Sequence, residues 1–235
     1  MLHLSLILVS GFLFQAPARP ALSPQERGDI FMARKMYREA IDVYKEAPES
    51  AVILNKIGIA YHQLTDLATA QKYYAAAVKK DPTYTEAMNN LGTIYYSKQS
   101  YRRAIAQYKK VLRLKPDSPS TLANLGSAYF ARKQYELASE SYQKALALDP
   151  TVLDSNNAVG SVVRDRTVGD RPTFFYYLAK SYAKAGMKEQ AMNYIRKALE
   201  EGFKERKKFM EEPEFANLQK DPDFIKLMEI EPKVL

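Results

Sequence analysis

Four asparagines and four aromatic residues carry most of the binding chemistry legible in this chain. Asn55, Asn89, Asn90 and Asn124 each offer one amide acceptor and two donors, so each can pair with both the C=O and the N–H of an extended backbone. Asn90 and Asn124 lie 34 residues apart, which repeats that capability at a fixed interval. Tyr96, Phe130, Tyr176 and Tyr177 stand outside the apolar packing pattern described below and are the candidate anchors for a partner. Catalytic chemistry has fewer members. The chain holds 2 histidines and no cysteine. His3 lies in an apolar N-terminal stretch, so His62 stands alone and no histidine triad or multi-histidine metal site can assemble. Thiolates and disulfides are absent altogether. None of the 9 glycines forms a phosphate-cradling loop. Glu211 and Glu212 are adjacent carboxylates in a charged stretch and are read as solvent-facing. The plain reading of His62 is an exposed polar residue, and the sharper one is a pH-sensitive or ligand-contacting group. The inventory points to binding, with no enzyme activity, metal or cofactor expected.

The elements that must position these residues come from a repeat. Gly58, Gly92 and Gly126 are spaced by 34 residues, each followed three later by a tyrosine: Tyr61, Tyr95 and Tyr129. Ala70, Ala104 and Ala138 keep the same register, as do Tyr74, Tyr108 and Tyr142, and Pro82, Pro116 and Pro150 close the copies. A period of this length belongs to stacked helix–turn–helix units. Within the copy Thr85–Ser118, Met88, Leu91, Gly92 and Tyr95 share one helical face, and Tyr101, Ala104, Tyr108 and Val111 share another. Glycine costs about 1 kcal/mol in a helix interior, so its recurrence at the eighth position of each copy implies a packing need. Proline near the end of each copy stops the second helix. No copy buries its apolar stripe alone, so neighbours must stack.

These residues resemble the tetratricopeptide repeat (TPR) family over most of the chain. The resemblance implies an all-α fold: a right-handed TPR α-solenoid of about five helix–turn–helix repeats with a C-terminal helical cap. Residues 19–50 read as a divergent, shortened first repeat, followed by 51–84, 85–118 and 119–152. An insert over 153–171 is expected to be an ordered loop, with a short hairpin as the alternative. A fifth repeat over 172–203 carries Ala179 in place of glycine. A cap over 204–235 places Phe203, Phe209, Phe215, Leu218, Phe224 and Leu227 among many charges. In such arrays the ligand lies in a concave groove lined by first helices, where the resemblance places the eight residues named at the outset. The co-chaperone type of TPR grips a terminal carboxylate with Lys and Asn at the fifth and ninth positions. Here those positions hold Asn55 and Ile59, then Asn89 and Thr93, so that clamp is missing. Asn90 and Asn124 resemble two rungs of the asparagine ladder of the O-linked N-acetylglucosamine transferase, and Lys56 and Tyr177 end it. The implied role is a non-catalytic scaffold that holds an extended peptide or protein segment as a monomer. Contact with glycan during envelope polysaccharide assembly is the alternative.

Leu2–Phe14 is apolar and too short for a bilayer, which needs roughly 20 residues. Ala16-Pro17-Ala18 follows it as a small-x-small cleavage pattern, so residues 1–18 are expected to be a secretory signal and the chain to be periplasmic or secreted. None of the eight asparagines begins an Asn-x-Ser/Thr acceptor, which fits bacterial export. The net charge of +8 suggests nucleic acid. Yet Lys72, Lys79, Arg102, Lys109 and their neighbours fall on second helices, the outer wall. Eleven of the 17 tyrosines occupy packing positions of the repeat, so no nucleic-acid partner is expected. Peripheral attraction to an anionic envelope surface is what the charge leaves open.

Overall fold

The computed structural model of the chain describes residues 21–153 and 170–229. The expected signal at 1–18 and nearly all of the expected insert lie outside the described residues. The order is α1 (Pro24–Ala33), α2 (Tyr37–Glu46), α3 (Ala51–Gln63), α4 (Leu67–Lys80), α5 (Thr85–Ser97) and α6 (Tyr101–Leu114). It continues with α7 (Pro119–Ala131), α8 (Tyr135–Leu148), α9 (Arg171–Lys184), α10 (Lys188–Glu200), α11 (Lys208–Glu211), a 3-10 turn (Pro213–Phe215) and α12 (Pro222–Glu229). Among the described residues every element is helical. Successive helices pack pairwise from α1·α2 to α9·α10, and each pair packs on the next, giving a solenoid of five helical hairpins and a helical cap.

Local chemistry sets the helix ends. Ser23 and Glu26 form a reciprocal capping box at α1, with Ser23 N–H donating to Glu26 Oε2 at 2.8 Å. Ser50, Asp66 and Asp170 accept from the first-turn N–H groups of α3, α4 and α9. Each hairpin turns through one left-handed residue at an equivalent position: Lys35, Thr65, Gln99, Lys133 and Gly186, with φ of 60°, 61°, 56°, 58° and 76°. Only the last is the residue type for which that conformation is free of strain.

Glycine at the eighth position of the repeat lies under a tyrosine ring of the second helix. A Cβ on Gly58 would fall 2.7 Å from the Tyr74 ring, and one on Gly126 would fall 2.7 Å from Tyr142. In the fifth repeat Ala179 replaces glycine, and Ile195 replaces the ring, both fully buried. In repeats one, three and four the tyrosine hydroxyl ends on the residue after the glycine, and in repeat two that residue is Ile59. Tyr44 donates to Asp29 at 2.6 Å, Tyr108 lies 3.3 Å from Thr93 Oγ1, and Tyr142 lies 3.1 Å from Ser127 Oγ.

The two ends of the stack differ from its middle. On the first helix Ser23 and Arg27 occupy positions held by Ile53 and Ile57 in the next repeat, which are buried. Arg27 pairs with Glu46 instead, and Leu22, Ile30 and Met36 are exposed apolar residues of this first repeat. At the other end Phe203, Phe209, Phe215, Leu218, Phe224 and Leu227 are all buried and merge with the core of repeats three to five. Val152 and Leu153 belong to that same core, so the chain leaves repeat four through a buried anchor.

Candidate functional site

The first helices α3, α5 and α7 lie side by side, and a pocket of about 250 Å³ opens between them. Asn55, Ile59, Asn89, Asn90, Ser120 and Thr121 contribute to its lining. Its position follows from the repeat, because the fifth residue of one first helix meets the sixth of the next. Asn90 Nδ2 donates to Asn55 Oδ1 at 3.0 Å, and Asn124 Nδ2 donates to Asn89 Oδ1 at 3.4 Å. Thr121 Oγ1 adds a second donor to Asn89 Oδ1 at 3.1 Å, and Asn55 Nδ2 donates to the Tyr84 hydroxyl at 3.4 Å. Asn55 thereby uses both halves of its amide, while Asn89, Asn90 and Asn124 each use one. Asn89 retains its Nδ2 donors and Asn90 retains its Oδ1 acceptor, and both are half-buried at the pocket wall.

The structure brings these four asparagines together but gives them unequal roles. Asn55 and Asn124 are buried, the former still part of the pocket lining, while Asn89 and Asn90 are half-buried at its wall. A ladder of Asn90 and Asn124 is therefore not what the inner face presents. Asn124 is spent on orienting Asn89.

The aromatic anchors need correction. Tyr96 is only 7% exposed and meets Tyr101 edge-on at 5.3 Å, while Phe130 is 5% exposed and packs on Tyr135 and Phe174. Both side chains fill the corner between the first helix and the start of the second. Tyr176 is buried by the cap, stacked on Phe203 at 4.6 Å and set against Phe209 and Phe215. Burial and its contact with Glu212 push its hydroxyl pKa far up. Tyr177 alone of the four stays half-buried, stacked on Tyr135 at 4.8 Å, with burial pushing its pKa up to about 12. The inner face is closed further along, since every residue from Thr121 to Phe130 on α7 is buried.

Neighbouring charges are spent on the fold. Lys56 forms an ion pair with Asp29 at 2.5 Å, linking repeats one and two. Burial would raise the Asp29 carboxyl, but hydrogen bonds from Lys56 and Tyr44 hold it below its ordinary value. Lys180 binds Glu212 at 2.9 Å and Glu214 at 3.5 Å, fastening the cap to α9. His62 is half-buried, and burial lowers its pKa, which favours the neutral ring. Among the described residues no three His, Cys, Asp or Glu side chains converge as metal ligands. Sequence reasoning missed Thr121, Ser118 and Thr85 as pocket residues. The signal was the hydroxyl-rich run Ser118-Pro119-Ser120-Thr121 at the start of α7.

Four family models match in succession. Models described as "Tetratricopeptide repeat" match residues 51–84, 119–152 and 174–201, and one described as "TPR repeat" matches 92–131. Together they cover more than half of the chain, which belongs to the tetratricopeptide repeat family. A crystal structure of the MamA protein is 22% identical, covers 80% of this chain and 93% of its own, and superposes with a TM-score of 0.53. YrrB, described as a TPR protein with an unusual peptide-binding site, is 21% identical. That match covers 60% of this chain and 72% of YrrB, with a TM-score of 0.50. At these identities the likeness concerns the fold. No curated protein matches the chain in sequence. The family and the helical scaffold it defines are those of protein interaction, and all four matching family models are repeat models.

Proposed function

We propose that this TPR solenoid is an exported, non-catalytic scaffold whose inner face at repeats two and three holds an extended peptide or protein segment. One observation carries the reading: Asn89 keeps a free donor and Asn90 a free acceptor at the wall of the same pocket, each fixed by its inner hydrogen bonds. A donor and an acceptor on adjacent residues match the C=O and N–H of a main chain and make little demand on its side chains. YrrB, which shares the fold, is described as having a peptide-binding site. Envelope localisation rests on the apolar Leu2–Phe14 stretch and Ala16-Pro17-Ala18. Contact with glycan would call for exposed aromatic faces, and Tyr96, Phe130 and Tyr176 are buried.

Asn89→Asp is the discriminating variant. It retains an oxygen for Thr121 and Asn124 while replacing the outward donor by an acceptor. Peptides selected from a random display library on the full chain are expected to bind Asn89→Asp about tenfold or more weakly, the loss of a hydrogen bond plus an unsatisfied group. Equal binding by a variant with an unchanged circular dichroism spectrum would refute the reading. Sequencing the N-terminus of protein recovered from the envelope should place the first residue at or near Arg19, whereas intact Met1 in a cytosolic fraction would sink export.

A further inference from the structure

The edge of the solenoid that carries the hairpin turns is basic, and among the described residues its bases form no ion pairs. Lys35 comes from repeat one, Lys98, Arg102 and Arg103 from repeat three, and Arg132 and Lys133 from repeat four. All six are exposed, and among the described residues none is in an ion pair. Asp66 and Glu136 are the acids that interrupt this edge between repeats one and four beyond Glu39. The opposite edge, where one repeat passes to the next, is different. There Lys80 pairs with Glu49 at 2.7 Å and Arg27 with Glu46 at 2.5 Å, and Asp81, Asp117 and Asp149 accompany the remaining bases. Lys79, Lys109, Lys110 and Arg113 on the second helices are also exposed and outside the ion pairs, so what sets the turn edge apart is its cluster of bases on and beside short connections.

It is densest where the turns of repeats three and four meet. Arg102, Arg103 and Arg132 line an open concavity of about 570 Å³ together with Gln99, Ser100 and Tyr101, and no acid lines it. The Arg103 guanidinium lies over the Tyr95 ring at 6.0 Å, a contact that orients the group without a counter-charge. Arg102 and Arg103 also occupy the first turn of α6, which holds no acid. Cations there oppose the helix dipole, so the arrangement weakens the isolated fold and is relieved by an external anion.

We propose that this edge is a docking surface for an anionic lipid bilayer, with Arg102, Arg103 and Arg132 as its main contact with the phosphate groups. The row of unpaired bases along one edge fits a flat surface of repeated phosphates, which engages several repeats at once. A single small anion would use one cluster and leave Lys35 and Lys133 without a role. The open, shallow form of the concavity fits a headgroup layer. Guanidinium groups suit phosphate because they present paired donors to its oxygens. Attraction of this kind is worth about 1 kcal/mol for each basic residue near an anionic membrane and is screened by salt.

Vesicle co-sedimentation of the full chain tests this. Vesicles of phosphatidylcholine mixed with phosphatidylglycerol are compared with pure phosphatidylcholine, at low and high salt. The triple variant Arg102→Ser, Arg103→Ser, Arg132→Ser is compared with Lys79→Ser, Lys110→Ser, Arg113→Ser, which removes the same charge from elsewhere on the surface. All proteins retain Leu2–Phe14, so any contribution of that segment cancels. The arginine variant is expected to lose about tenfold or more of its binding to anionic vesicles, and the control triple to bind as wild type does. Equal loss in both triples would overturn the site in favour of diffuse charge. Displacement by inorganic phosphate at matched ionic strength would overturn the bilayer in favour of a small phosphate ligand. Tighter binding to polyglutamate than to vesicles would overturn it in favour of an acidic protein segment.

Discussion

The ring of Tyr108 lies so close over Gly92 that a Cβ on the glycine would fall 2.5 Å from ring carbon Cε1. The two residues act as one unit, a missing side chain and the ring that fills its place. In the fifth repeat the unit is exchanged whole, for Ala179 and Ile195.

Gly92→Ala should therefore destabilise the protein although alanine favours helix. Overpacking costs about 1–3 kcal/mol, and helix propensity offsets about 1 of it. Tyr108→Ile alone should cost about 2–4 kcal/mol through the cavity it leaves. The double variant reproduces the fifth-repeat pair and should be more stable than the sum of the singles by about 1 kcal/mol or more. Urea melts of the four proteins decide it, and simple additivity would mean that the pair is not a unit.

Thr65 carries a β-branched side chain at φ 61°, a conformation costly for any L-residue. Thr65→Gly should raise stability by about 1 kcal/mol, since the side chain is exposed and loses no contact in the core. The reverse change, Gly186→Ala at φ 76°, should lower it by a similar amount. A fall in the urea midpoint for Thr65→Gly would show that the turn is not strained.

His62 gives a pH signature. Its folded pKa lies below the unfolded value of about 6.5, so its contribution is full above that pH and is lost as the solution is acidified through the folded value. Stability should fall as the pH drops below about 6.5, above the range in which Asp29 and the other depressed carboxylates titrate. His62→Gln should flatten that part of the profile. An identical slope in the variant would assign the effect to another group.

Lys180 holds two carboxylates whose side chains are 23% and 18% exposed. Lys180→Met leaves Glu212 and Glu214 facing each other without a cation, a loss of about 1–3 kcal/mol, below the cost of breaking a fully buried pair. Limited proteolysis should cut between residues 204 and 229 faster in the variant. Restoration of resistance by the further changes Glu212→Gln and Glu214→Gln would tie the effect to charge.

The repeat was legible because glycine, alanine and tyrosine recur at positions where helices touch within one hairpin, a local contact that every copy must satisfy. The site was legible only in part. Asn55, Asn89, Asn90 and Asn124 fall on the inner helices as the repeat dictates, but which amide half stays free depends on a partner one repeat away. Tyr96, Phe130 and Tyr176 looked available because the pattern within a repeat leaves them unused. Their partners come from elsewhere: the start of the second helix, the next first helix, and the cap. Leu153 reads as insert and packs as core, because its neighbours are distant in sequence.

The polar face of α1 and the phenylalanine-filled cap have a consequence for valency. Among the described residues, a stack with Ser23 and Arg27 at one end and a closed cap at the other does not repeat the Ile53 and Ile57 surface on which successive repeats pack. Head-to-tail growth into filaments is disfavoured at both ends. Each molecule then presents its inner face once, and any gain from multiple engagement must come from repeats in the partner or from a surface that gathers several copies.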